Sequence, residues 1–87
     1  MSIQAQAVEL ILNERERQQA KWGEQNHEMP VWLAILHEET GELSQAVLHR
    51  IFGGPEAMGE LGEAVQVAAV ATQIVEYLLN RINNGQP

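Results

Sequence analysis

Leu61-Gly62-Glu63-Ala64-Val65-Gln66-Val67-Ala68-Ala69-Val70-Ala71-Thr72-Gln73-Ile74-Val75-Glu76-Tyr77-Leu78-Leu79 is the stretch that decides the fold. Within and just beyond it, Leu61, Val65, Ala68, Thr72, Val75, Leu79 and Ile82 recur in alternating steps of four and three, the seam of a left-handed helical packing. A second stripe through Val67, Ala71, Ile74 and Leu78 runs beside the first. A helix apolar over that much of its circumference is buried on more than one side.

Outward from this helix, the segment Ile51-Phe52-Gly53-Gly54-Pro55 is a strong break. Two glycines supply a C-terminal turn and Pro55 is expected to start the next helix, which then runs from Pro55 to about Ile82. Before the break, Trp32, Leu33, Leu36, Leu43, Ala46 and Val47 form the apolar side of a helix expected from about Val31 to His49, with Pro30 in its first turn. Lys21 to Met29 has no period and contains Gly23 and Asn26, so it reads as a surface loop. Residues 2 to about 20 place Ile3, Ala7, Leu10, Ile11 and Glu14 at helical spacing. The expectation is a single all-α domain over residues 1–87, an antiparallel helical bundle of about three main helices. Three helices give too little cover for the last one, so the bundle is expected to be completed by homo-oligomerisation, as a homodimer or homotetramer.

The bulk composition agrees. A domain of 87 residues buries only about 60% of its unfolded surface and often leans on a partner subunit. A hydrophobic fraction of 45% is normal for a folded chain, and with two Trp, one Tyr and one Phe the core must be aliphatic. There is no cysteine, which rules out disulfides, thiolate metal sites and thiol nucleophiles. The N-terminal residues lack a basic segment followed by an apolar one, and no apolar run approaches the ~20 residues that span a bilayer. A cytoplasmic protein with no membrane partner is the expectation. A net charge of −7 disfavours a nucleic-acid polymer and favours small cations.

The acids are clustered. In His37-Glu38-Glu39-Thr40-Gly41-Glu42, Glu42 lies one turn from both Glu38 and Glu39, and each such like-charge pair costs a few tenths of a kcal/mol. Gly41 adds a penalty of about 1 kcal/mol in a helix interior. Both penalties are accepted mid-helix, where no dipole offsets them, so the pattern suggests a positive ligand. Glu56, Glu60 and Glu63 form a second group spaced four and three. Helix-dipole pairing accounts for Glu56 and in part Glu60, but Glu63 is more than two turns in and heads an apolar run.

An antiparallel hairpin of the last two helices would bring carboxylates from both together, and oxygen donors with water completing the shell is the usual way of holding Mg²⁺; Mn²⁺ would also fit. A di-iron site is disfavoured because the only Glu-x-x-His pattern, Glu24 to His27, falls in the loop. His37 and His49 read as surface or packing histidines. On spacing alone, a solvated acidic helix face explains the glutamates about as well as a metal.

Glu38-Glu39-Thr40-Gly41-Glu42 resembles the EExxE motif of the all-α NTP pyrophosphohydrolases, the MazG-like and dimeric dUTPase-related group, and Glu63-Ala64-Val65-Gln66 sits where that family has ExxD. The resemblance extends upstream through Glu14-Arg15, Gln18 and Lys21-Trp22-Gly23-Glu24-Gln25, and downstream through Val65 to Ala71, covering roughly residues 8 to 80. It implies Mg²⁺-dependent hydrolysis of a nucleoside or deoxynucleoside triphosphate to the monophosphate and pyrophosphate. It also implies that Glu39, Glu42 and Glu63 ligate the metal, and that Glu38 is a further ligand or orients the attacking water. Gln66 replaces the family's Asp; its amide oxygen can still coordinate but brings no charge, so Glu60, one turn before Glu63, would have to compensate.

For the substrate, Trp22 could stack on a base or could simply cap the core, and Lys21 could reach a phosphate. Arg81 is expected to pair with the C-terminal dipole of its helix or to contact phosphate. Two alternatives stand beside the enzyme: a catalytically weak nucleotide- or metal-binding member of the fold, and an acidic helical oligomerisation module.

Overall fold

The computed structural model describes residues 1–55 and 59–86, and among these it contains three α-helices and no strand. They are α1 (Ile3–Trp22), α2 (Met29–Phe52) and α3 (Gly59–Asn83). None is long and apolar enough to cross a membrane.

Local signals set the helix ends. Ser2 caps α1, its Oγ accepting from the Ala5 amide at 3.0 Å. Gly23, at φ 70°, ends α1 by donating its N–H to the Gln19 carbonyl at 2.8 Å. Gly53, at φ 90°, ends α2 by donating to the His49 carbonyl at 2.8 Å. Pro30 occupies the first turn of α2, where the missing amide proton leaves no bond unmade. Several boundaries differ from expectation: α2 begins at Met29 and runs to Phe52, so Ile51 and Phe52 are helical and the break begins at Gly53. Lys21 and Trp22 complete the last turn of α1 instead of opening the loop, because Gly23 is the first residue whose backbone leaves the helical region. Pro55 is outside any helix, so it does not start α3; Glu56 lies outside the described residues.

The central element is α3, which packs against both α2 and α1, while α1 and α2 do not pack against each other. Its interface with α2 holds the apolar core: Trp32, 1% exposed, with Ala46, Ala69 and Val70 all buried. Small residues at Ala46 and Ala69 allow the helices a close approach, and Trp32 is buried fourteen residues before Ala46, near the start of α2.

The interface with α1 is polar. Arg15 makes a bidentate pair with Glu76, Nη2 to Oε1 at 2.7 Å and Nε to Oε2 at 3.1 Å. Its Nη1 donates to Gln18 Oε1 at 3.3 Å, and buried Gln18 donates through Nε2 to Gln66 Oε1 at 3.3 Å. Of the residues expected at helical spacing in α1, Ile3, Ala7 and Leu10 are exposed in the single chain, whereas Ile11 and Glu14 are half-buried. The seam of α3 is likewise uncovered along much of its length, with Leu61 68%, Val75 56%, Leu79 51% and Ile82 62% exposed. One copy of the chain therefore covers α3 on two sides and leaves its heptad stripe open.

Trp32 fills the space that α2 and α3 enclose. Trp32→Ala is expected to lower the unfolding free energy by about 3–5 kcal/mol. Trp22→Ala, at a half-exposed helix end, should change it by about 0.5 kcal/mol. Urea titration followed by helical circular dichroism checks both.

Candidate carboxylate site

The 3.6-residue period of α2 puts Glu38, Glu39 and Glu42 on one face, and a carboxylate oxygen from each lies within 4.8 Å of the others. Glu38 and Glu42 are exposed and Glu39 is half-buried against α3. Oε2 of Glu39 is shut off from solvent and accepts no hydrogen bond. The nearby hydroxyls are turned to the backbone: Thr40 Oγ1 donates to the His37 carbonyl at 2.9 Å, and Ser44 Oγ to the Thr40 carbonyl at 3.0 Å. Gly41 stands between the acids, and a Cβ there would meet nothing within 4 Å, so close packing within one chain does not demand a glycine.

From α3, Glu63 faces this group and is buried, 8% exposed. Its charge acts on Glu39, whose carboxyl is pushed up to about 7. Burial is the largest cause, followed by the charges of Glu42 and Glu63, a hydrogen bond with Glu42 and the charge of Glu38. Among the described residues no ion pair joins a basic side chain to Glu38, Glu39 or Glu42. Arg15 is paired with Glu76, Arg17 with Glu14 and Arg50 with Glu60, while Lys21 and Arg81 stand over aromatic rings. Those are all five Lys and Arg residues of the chain.

Of the expected site residues, Glu38, Glu39 and Glu42 thus form one close group on α2, and Glu63 comes near enough from α3 for its charge to act on Glu39 without being one of that close group. Glu60 is engaged by Arg50 through its Oε1. Gln66 is bound on the α1 side, accepting from Gln18 and hydrogen-bonding Glu14. The Glu14 carboxyl is held below its ordinary range, mainly by its hydrogen bond with Arg17. Trp22 is half-exposed, with the Lys21 ammonium 4.7 Å and the Arg17 guanidinium 5.8 Å from its ring centre. Arg81 lies over the Tyr77 ring at 5.7 Å. It stands eighteen residues beyond Glu63, about 27 Å along the helix axis, so within one chain it is not brought to the carboxylates.

A separate cleft of ≈ 370 Å³ opens where α1, the 23–28 loop and the start of α2 meet the C-terminal half of α3. Trp32, Gln73 and Tyr77 line it. Sequence reasoning reads Trp32 only as part of the apolar face of α2 and Gln73 only as an interruption in an apolar run. The available signal was that interruption, because a carboxamide inside a buried stretch needs a polar neighbourhood.

Comparison of the chain with known protein families, curated proteins and solved structures finds no match.

The raised carboxyl of Glu39 sets a pH dependence. Its folded-state value of about 7 lies above the ordinary 4.5, so the folded protein holds this proton more tightly than the unfolded chain. The resulting stability is fully present below pH 4.5 and is lost as pH rises through about 7. In metal-free buffer, Glu39→Gln should be more stable than the parent at pH 8 and should lack its share of the decline between those values; thermal melts across this range measure it.

Proposed function

We propose that this chain is a divalent-cation-dependent nucleoside triphosphate pyrophosphohydrolase that converts an NTP or dNTP to the monophosphate and pyrophosphate. The observation that carries the reading is the close group of Glu38, Glu39 and Glu42 on α2, on which the charge of Glu63 acts from α3 and to which no basic side chain is paired among the described residues. Self-repulsion of this kind favours a cation, and the buried, unaccepting Oε2 of Glu39 is a donor atom suited to one. The donor set is all oxygen, which selects hard ions, so Mg²⁺ is the preferred occupant and Mn²⁺ a workable substitute.

Glu39, Glu42 and Glu63 would hold the cation, with Glu38 beside them as a further ligand or as the group that orients the attacking water. When bound, the cation supplies neutralisation of the triphosphate and a more acidic water, so no protein nucleophile is required. Ion binding would also displace the proton from Glu39, leaving it anionic at neutral pH. The resemblance of Glu38-Glu39-Thr40-Gly41-Glu42 and Glu63 to the MazG-like motifs supports the substrate class. On the same reading Lys21 and Trp22 contact the nucleotide, and Arg81 could reach phosphates held at the carboxylates only across a subunit boundary. The exposed Leu61, Val75, Leu79 and Ile82 stripe supports a homodimer or homotetramer, because a second copy supplies the missing cover. The proposed setting is cytoplasmic.

One observation favours a second reading. The Gln66 carboxamide is bound to Gln18 and Glu14, so this position contributes neither charge nor a free amide to the cation. A nucleotide- or metal-binding protein with little turnover follows from that.

Under the enzymatic reading, Mg²⁺ or Mn²⁺ raises the melting temperature, and Glu42→Gln removes the rise. A panel of nucleoside triphosphates with Mg²⁺ releases pyrophosphate from at least one member. No response of the wild type to either ion sinks the metal site, and no turnover across the panel leaves the binding reading. Gln66→Asp is expected to raise turnover by about 10–100-fold by restoring an anionic donor. An unchanged rate would show that this position does not limit the chemistry.

A further inference from the structure

The cleft beside Trp32 is distinct in charge from the carboxylate site. Of the charged groups around it, Arg15 and Glu76 are closed on each other by two hydrogen bonds, and Glu24 and Arg81 offset one another formally. The lining is therefore close to neutral, which suits neither a bare metal ion nor a polyphosphate. It is also rich in carboxamides, with Gln19, Gln25, Asn26, Gln73, Asn80 and Asn84 all contributing. Each places a donor and an acceptor in one plane, the arrangement that pairs with the edge of a planar amide or amidine.

Two aromatic residues complete it. Tyr77, with the Arg81 guanidinium over its ring at 5.7 Å, supplies flat, polarisable surface. Trp32 lines the cleft, is 1% exposed, and its Nε1–H is buried without an acceptor. Indole nitrogen can only donate, and buried donors of this kind ordinarily have a partner. Its one ring neighbour, His27, meets it edge to face at 4.9 Å, and no hydrogen bond joins them.

The geometry points to this cleft as a binding site for an uncharged planar heterocycle with amide-type edges, the chemistry of a nucleobase. The carboxamides pair with its edges, the Tyr77–Arg81 surface lies against its face, and Trp32 backs the cleft from within the core. The cleft is within the size range of small-molecule sites. The ligand has two possible sources: a free base or nucleoside, or the base of a nucleotide whose phosphates are held at the carboxylates. Gln73 lies ten residues beyond Glu63, about 15 Å along α3. The site itself rests on the cleft alone and does not depend on the hydrolytic activity.

The test uses the full chain, isotope-labelled, whose two tryptophans give two indole N–H resonances. Metal-free protein is titrated with uridine, cytidine, adenosine and guanosine to millimolar concentration. The expected result is a saturable shift of the Trp32 indole for at least one nucleoside while the Trp22 resonance stays in place. Asn80→Ala, at an exposed position, should weaken that binding roughly tenfold. Glu42→Gln should leave it within about twofold, which separates failure of this site from failure of the metal site. Competition by a magnesium triphosphate supports the proposal with the substrate's base as ligand, and absence of competition supports it with a free nucleoside. An unmoved Trp32 resonance overturns it, as does an equal response to a saturated sugar such as glucose or a shift that Asn80→Ala leaves intact.

Discussion

Everything near the candidate site follows from negative charge brought against a helix interface. Glu39 is pressed toward α3 by the same contact that buries Trp32 and Ala69, and Glu63 comes from the other side of that contact. Both acids lie within about two turns of that apolar packing on their own helices. The chain relieves the strain without a cation by holding a proton on Glu39 near neutral pH. Packing and electrostatics are thus opposed across one interface, and the balance shifts with the proton on Glu39. Glu38 and Glu42 are exposed, as on a solvated acidic helix face, so the opposition is confined to Glu39 and Glu63.

The distribution of the bases reinforces this. An acidic protein of this size could have placed an arginine against the cluster and closed it as a structural ion pair. Instead Arg15 and Arg17 serve the α1 side and Arg50 ties the end of α2 to Glu60 at the start of α3. Arg50 and Glu60 act where the hairpin must be held across the Gly53-Gly54 break, whereas no ion pair among the described residues joins a basic side chain to Glu38, Glu39 or Glu42.

Much of the fold was legible in the sequence because its helix ends are written in strong local chemistry. Gly23, Pro30 and Gly53 act where their backbone preferences say they should. Pro55 was misleading, since the same restriction that suits a first helical turn also suits an extended connector, and only the surrounding chain selects between them. The grouping of Glu38, Glu39 and Glu42 followed from period alone, and the approach of Glu63 from the hairpin. The side of α3 that Gln66 serves was not readable, because Gln18 and Glu14 lie 48 or more positions away in the chain and the choice depends on where α1 docks. The cleft at Trp32 and Gln73 was hidden for a related reason: it is assembled from four separate segments, and no one of them carries a motif.

The absence of direct packing between α1 and α2 gives the molecule a hierarchy of opening. A helix attached mainly through Arg15, Gln18 and their polar partners can separate from α3 while Trp32, Ala69 and Val70 remain packed. Such partial opening would release Gln66 from its amide partner and dissolve one wall of the cleft, yet leave the acids of the α2–α3 hairpin assembled. Ordering of α1 is then a separate event, and any molecule or second subunit that fastens α1 down acts on the cleft without having to touch the carboxylates.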